Sequence, residues 1–436
     1  MMGVRGVAVN QKDLAHKLRQ AREKLGLSQE EVAQALGVSR ESLAQWERGE
    51  RLPPALHLQR LAWLYGLEEK SLFEGGEVRY RDGLSVLLPE GVSLSAKARL
   101  ELQRWLEFLD AYAEFLKEEG EPLSPAPQGI LRELRPLGGL LTDVRRASSE
   151  ARKVRERLAL GQDVIPDLRV LLDGLGILVY QASLGEGLAS RGEQVPEGEG
   201  SPATIWGAFY RHPQLGFSVL VNVDSTPGRQ VFTLAHELSH ALYHSRLPGI
   251  LCRREALPEE KEVETFANAW AAHFLVPGNA LKERVGEWVG DPRKLSAEDA
   301  LLLAHHFGVS YTLLLYRLLN ERLITEDTFR AWSRISPRVL AQVLGLSQEP
   351  YHLPAPSFLG ELGRFPPSVL RRVRRAVLEG RLSVSEAAGL LDVDSTTLQR
   401  KLLASAEEEA ESKEALELAK ELNFRTPGRR RKALEA

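Results

Sequence analysis

Val231-Phe232-Thr233-Leu234-Ala235-His236-Glu237-Leu238-Ser239-His240-Ala241-Leu242-Tyr243-His244 is the stretch on which the reading of this 436-residue chain turns. Residues four apart on a helix stand one turn above each other on one face. His236 and His240 can therefore present two imidazole nitrogens to one metal ion, while Glu237 can reach a water at that ion. Two ligands and a general base on one helix is the layout of a zinc-dependent peptidase. The apolar flanks Val231, Phe232, Leu234, Ala235, Leu238, Ala241 and Leu242 predict that the helix is buried. The competing reading is an amphipathic helix that carries two histidines by chance. His244 lies ~12 Å along the axis from His236. It is too far to share their metal and is expected beside the site or on the surface.

A catalytic zinc needs three protein ligands so that its fourth position can take water. The helical stretch over 261–277, KEVETFANAWAAHFLVP, offers carboxylates, with Glu260, Glu262 and Glu264 all near its start, and Pro277 stops it. Phe232 to His240 resembles the FTLAHELGH-type helix of the ImmA/IrrE metallopeptidases. Glu264, Ala267, Asn268, Trp270, Ala271, Leu275 and Pro277 resemble that family's second helix. The resemblance implies that Glu264 is the third ligand, which spacing alone leaves open among the three glutamates. It also implies an α+β zincin-like fold, a zinc cofactor with manganese as the alternative, and a protein substrate.

Upstream, Pro166-Asp167 opens a short helix over 168–175. Runs of β-branched and aromatic residues at 176–181, 206–210 and 217–223, bounded by Gly and Pro, predict three strands. The Gly-, Glu- and Ser-rich run 185–202 predicts a long loop. An edge strand beside the metal helix can hold an extended peptide by backbone pairing, and 206–211 or 217–223 is expected in that part unless both are core strands. Tyr210 and Tyr243 are candidates for steadying an oxyanion, although packing is the favoured role for each.

The N-terminus tells a separate story. In Leu27-Ser28-Gln29 through Arg48-Gly49, Ser28 caps a helix over 29–36, Gly37-Val38 makes a tight turn, and Ser39 caps a second helix. Val32, Ala33, Leu36, Val38 and Leu43 supply a packed face. The segment resembles the lambda-repressor/Cro-like (XRE) helix-turn-helix, which implies that the second helix reads the DNA major groove. Gln29, Ser39, Arg40, Ser42, Gln45 and Arg48 are the expected DNA contacts. Residues 12–75 hold ten basic and ten acidic side chains. No broad basic field drives non-specific affinity, so binding is expected as a homodimer on a palindromic duplex operator.

The helix-turn-helix pattern recurs twice. Around Val309 it carries Leu313, Leu314, Leu315 and Tyr316 where a reader needs polar groups, so this copy is expected in the peptidase core. Around Val393 it carries Ser395, Thr396, Gln399 and Arg400. That copy is able to touch DNA, although protein packing is the favoured role.

The resulting architecture is multi-domain and mostly α, with one α+β domain. A helix-turn-helix domain spans 10–75 and a helical linker or dimerisation region spans 80–160, with helices at 95–117 and 142–160. The peptidase with its small sheet spans 161–345, a helical extension 355–404, and a charged tail 405–436. The lone cysteine, Cys252, excludes an internal disulfide. No run of ~18 apolar residues predicts a membrane helix, and no signal peptide is read at the N-terminus, so a cytoplasmic location is expected. Functionally the expectation is a DNA-binding regulator with a zinc endopeptidase that cuts an XRE-type repressor or antitoxin in a stress or mobile-element response. The alternative is a non-catalytic repressor whose metal-holding half senses a ligand or partner.

Overall fold

A computed structural model describes residues 10–73, 87, 94–121, 123, 133–134, 140–185, 205–244, 249–253, 260–346 and 360–403. The run 186–202, most of the 120–128 link and the 405–436 tail lie outside the described residues. The chain divides into two units, the larger formed by Met1–Ala355 with Arg364–Pro366 and the smaller by Pro356–Gly363 with Pro367–Ala436.

The larger unit begins with α1 (Gln11–Lys24), α2 (Gln29–Leu36), α3 (Arg40–Arg48), α4 (Ala55–Tyr65) and α5 (Glu69–Phe73). Ser28 and Glu31 form a reciprocal capping box at the start of α2, and Ser39 caps α3. Between them Gly37 takes φ 68°, a conformation open to glycine at little cost. Leu14, Leu18, Val32, Leu36, Leu43, Trp46 and Leu61 close the core. An ion pair is buried with them. Arg22 Nε and Nη2 donate to the two Glu47 oxygens at 2.7 and 3.0 Å, and Gln29 Nε2 donates to Glu47 Oε2 at 2.9 Å.

The next helix, α6 (Ala96–Glu118), departs from the expected spacer. Fourteen of its 23 residues are buried, so its apolar side is covered by this chain and is not left for a dimer partner. Its first turns finish the helix-turn-helix core through Ala96 and Leu100. Further along, Trp105 Nε1 donates to Ser218 Oγ at 2.9 Å, and the Phe108 ring stacks on Tyr180 at 5.8 Å. One helix thus serves as core for two regions. The second linker helix, α7 (Ala147–Arg157), packs on the helix over Lys261–Leu275.

The α+β region continues with α8 (Leu168–Gly174), β1 (Leu178–Ala182), β2 (Ile205–His212), β3 (Gly216–Asn222), α9 (Pro227–Ser239), β4 (Gly249–Arg253) and α10 (Lys261–Leu275). The sheet order is β1-β3-β2-β4, with β1 parallel to β3 and β2 antiparallel to both neighbours. The three expected strands are present, but β2 and β3 are both internal. Their backbone groups are spent on neighbours, so both are core strands. The edges of the described sheet are β1 and β4, and sequence reading missed β4. Helices α11 (Gly278–Trp288), α12 (Ala297–Phe307), α13 (Tyr311–Asn320), α14 (Glu326–Trp332) and α15 (Pro337–Val343) complete the region. The middle helix-turn-helix copy, α12–α13, lies in this core, with Leu313, Leu314 and Leu315 buried and only Tyr316 turned outward. Its approach to α9 is close. A Cβ at Gly228 would sit 2.8 Å from the Ser310 backbone nitrogen.

In the smaller unit, α16 (Pro367–Leu378), α17 (Val384–Leu390) and α18 (Ser395–Leu398) reproduce the third helix-turn-helix pattern, with a Ser383–Glu386 capping box and Asp394 capping α18. Ser395, Thr396, Gln399 and Arg400 are exposed.

The buried Arg22–Glu47 pair yields a stability prediction. Removing one partner strands the other charge, typically at ~3–5 kcal/mol. Arg22→Ala should lower the urea midpoint of the helix-turn-helix transition followed by circular dichroism, and an unchanged midpoint would refute the pair's structural role.

Candidate metal centre and helix-turn-helix face

Pro227 opens α9 at its first turn, where a missing N–H costs nothing. The helix carries His236 and Glu237 and passes at His240 into a wider π-type turn over His240–His244. Such turns are rare and gather at functional sites. His236, Glu237, His240 and His244 are all buried. The packing of α10 against α9 brings Glu264 across to the two imidazoles. His236 Nε2 and His240 Nε2 stand 2.9 Å apart, and Glu264 Oε2 and Oε1 lie 3.2 and 3.4 Å from them. Glu264, rather than Glu260 or Glu262, is therefore the carboxylate that converges on the histidines. Tetrahedral zinc with ligands at ~2.0–2.2 Å spaces its donor atoms ~3.3–3.5 Å apart; the two histidine–glutamate separations, 3.2 and 3.4 Å, are close to that, and the two imidazole nitrogens stand nearer at 2.9 Å.

The histidine tautomers also fit a metal. His244 Nε2 lies 2.7 Å from the Leu141 carbonyl oxygen, which can only accept, so this nitrogen carries the hydrogen. Burial, with His240 adding to it, pushes His244 down to about 3 and keeps the ring neutral. Its Nδ1 must then accept, and the His240 Nδ1–H donates to it at 2.8 Å. That leaves the His240 Nε2 lone pair aimed at Glu264 and His236. His244 is thus a support that fixes the orientation of a ligand, a common role for a buried partner of a metal-bound imidazole. The sequence placed it beside the site or on the surface; it is fully buried beside it.

Electrostatics divides the two glutamates. Burial would raise Glu264, but the facing imidazoles of His236 and His240 outweigh it and hold the carboxyl well below its ordinary range. Glu237 has no such partners. Neither oxygen has a hydrogen bond of ordinary geometry among the described residues. Burial pushes its pKa up to about 8, against the opposing pull of His236 and the Cys252 thiol. One carboxylate is set to bind a cation, and the other to take up a proton.

Three residues near this centre escaped sequence reading. Cys252 on β4 joins His236, His240 and Glu264 in one cluster whose ligand atoms all lie within 4.8 Å of one another. Arg229, two turns before His236, lies over the Trp206 ring at 4.4 Å. A Cβ at Gly207 would stand 2.6 Å from Thr233 Cγ2 and 3.0 Å from Glu237 Oε1, so only glycine lets the sheet approach α9 here. The lone cysteine between the histidine pair and Glu264 was the one legible signal. Tyr243 is buried against Phe266 and Trp270, and Tyr210 contacts Trp105 and His212 edge-on. Both therefore make packing contacts.

On the N-terminal face the expected DNA contacts divide by their bonding. Ser39 Oγ accepts from the Ser42 backbone N–H at 3.1 Å and pairs with the Ser42 hydroxyl at 2.9 Å. Gln29 is turned to Glu47. Exposed Arg48 is held by Glu41 and Glu50 at 2.8 and 2.7 Å. Arg40 is exposed and Gln45 half-buried, and no hydrogen bond of either side chain is seen among the described residues.

With the two histidines, Glu264 and the capped helix pair in place, comparison with known proteins gives a direct match. Residues 200–319 match the IrrE N-terminal-like domain. Residues 18–71 match the helix-turn-helix family. A curated relative, the radiation response metalloprotease IrrE of Deinococcus deserti, is 31% identical over 134 residues, covering 30% of this chain and 41% of that protein. The chain thus matches less than half the length of this relative. A metallopeptidase-type, IrrE-like domain and a DNA-binding helix-turn-helix domain stand in one chain. Among the described residues, no helix is long and apolar enough to cross a membrane.

The His244 relay in the IrrE-like domain carries a prediction. His244→Phe keeps a buried ring but leaves His240 Nδ1–H without its acceptor. Zinc affinity, measured by chelator competition, should fall ~10–100-fold with stoichiometry still one per chain. Unchanged affinity would show that the relay does not orient His240.

Proposed function

We propose that this chain is a transcriptional regulator whose IrrE-like domain is a zinc-dependent endopeptidase acting on a protein regulator. The observation that carries the reading is the meeting of buried His236 and His240 with half-buried Glu264 beside a buried carboxylate, Glu237, whose oxygens have no hydrogen bond of ordinary geometry among the described residues. His236, His240 and Glu264 hold the ion, zinc in the first instance and manganese as the alternative. Bound there, zinc supplies a Lewis acid that polarises a carbonyl and acidifies water. Glu237 accepts the proton of the attacking water and delivers it to the leaving amine, so one peptide bond is hydrolysed. The β4 edge, paired on its other side with β2, offers its backbone to an extended substrate.

The substrate we favour is an XRE-type repressor or an antitoxin, with cleavage triggered in a stress or mobile-element response. The printed name of the Deinococcus relative, a radiation response metalloprotease, supports that setting. The helix-turn-helix places α3 in the major groove of a palindromic duplex operator, and a cytoplasmic homodimer supplies the two copies of α3. Arg40 and Gln45 reach bases; Ser39, Ser42, Arg48 and Gln29 complete the contact surface once Arg48 exchanges Glu41 and Glu50 for phosphate.

A second reading is favoured by α6, which is core to both the helix-turn-helix and the sheet. In it the metal-holding half senses a ligand and works through shape, without hydrolysis. Glu237→Gln separates the two. The substitution keeps the side chain's size but removes the base. It should retain one metal per chain while cleavage of the regulator in cells falls ~10²–10⁴-fold. Normal induction of the target promoter by Glu237→Gln, together with its loss in His240→Ala, would decide for sensing.

The DNA reading is tested separately. Gln45→Ala should relax base preference by ~1–3 kcal/mol if its contact is bidentate, measured by binding to randomised duplexes with half-sites ~34–36 Å apart. Unaltered preference would move the reader elsewhere, with Ser395–Arg400 next in line.

A further inference from the structure

We propose that Cys252 is a fourth protein ligand, so that the resting centre is a closed His–His–Glu–Cys site that must open before it can hydrolyse anything; the idea rests on the metallopeptidase reading above. Cys252 sits on β4 directly opposite Gly207 of β2, and the register shifts in the next step, where Arg253 pairs with Ile205. Directly opposed residues of an antiparallel pair point to the same face, and a bulge re-aims the side chain beside it. The Gly207 face is the one turned to α9, since a Cβ there would meet Thr233 and Glu237. Cys252 Sγ therefore projects toward the histidine-bearing helix. Its ligand atom lies within 4.8 Å of those of His236, His240 and Glu264. A buried cysteine is often mere apolar filling, but here the thiol faces the carboxylates of Glu237 and Glu264, which are poor company for a filler and good company for a metal ligand.

Four protein ligands make a closed, structural type of zinc site, whereas catalysis needs a position for water. On closure the thiol loses its proton to solvent and the sulfur–metal bond forms. On opening that bond breaks, water takes the vacated position, and the thiol regains a proton. Glu237, beside both, then has a water to deprotonate. β4 is held by a strand on one side only, which makes it the element able to carry Sγ away.

The chain holds one cysteine, so any thiolate signal belongs to Cys252. Full-length apoprotein titrated with cobalt(II) should bind one ion per chain and show a thiolate-to-cobalt charge-transfer band in the near ultraviolet. The band should be lost in Cys252→Ala and Cys252→Ser, with circular dichroism confirming that both variants are folded. Acetohydroxamate is the probe for an open position. At a concentration that saturates the Cys252→Ala cobalt spectrum, the wild-type spectrum should be unchanged. One bound cobalt without the band, a band that survives substitution, or equal acetohydroxamate uptake by wild type would overturn the proposal and leave the peptidase reading standing. Failure of the wild type to bind cobalt would overturn both.

Discussion

Two buried imidazoles, the buried carboxyl of Glu237 and the half-buried one of Glu264 meet at one point, and that is the constraint around which the rest of this structure is arranged. Ionisable groups out of water are costly unless paired or bound to a metal. Glu264 is paired with His236 and His240, His240 with His244, and His244 in turn with the Leu141 carbonyl. Glu237 is left without such relief. A fold selected only for stability would have removed it. Its retention beside a triad of metal-type ligands is what gives the site a chemical direction.

That constraint explains the local departures from ideal structure. The π-type turn at His240–His244 brings His244 back under His240. Gly207 opens a gap in β2 so that Glu237 can lie against the sheet, and Gly228 lets α9 meet Ser310. Each concession lies on α9 or against it. Cys252 enters from β4, opposite Gly207.

The two functional regions are not beads on a flexible string. A single helix, α6, finishes the core of the helix-turn-helix with Ala96 and Leu100 and lies on the sheet through Trp105 and Phe108. The strand that accepts the Trp105 hydrogen bond, β3, borders β2, and β2 carries Gly207 against Glu237. Packed side chains thus run from the His236–Glu264 cluster through the sheet to the helix-turn-helix core. Both regions pack on this one helix, each through its own turns.

The sequence by itself determined what is local. The four-residue spacing of His236 and His240, the caps at Ser28 and Ser39, the glycine turn at Gly37 and the two repeats of that pattern are set within a few residues by helix geometry. The family resemblance named Glu264, because the choice among three neighbouring glutamates depends on how α10 packs. Tertiary structure alone decided the long-range matters. Strand order made β2 and β3 internal and β1 and β4 the edges, since pairing joins segments far apart in sequence. Amphipathic pattern marked an apolar side on α6 but could not say that this chain covers it. Cys252 read as a lone thiol because nothing in Gly249–Arg253 reveals what faces it. Only the β4–β2 register, opposite a glycine, turns its sulfur toward His236, His240 and Glu264.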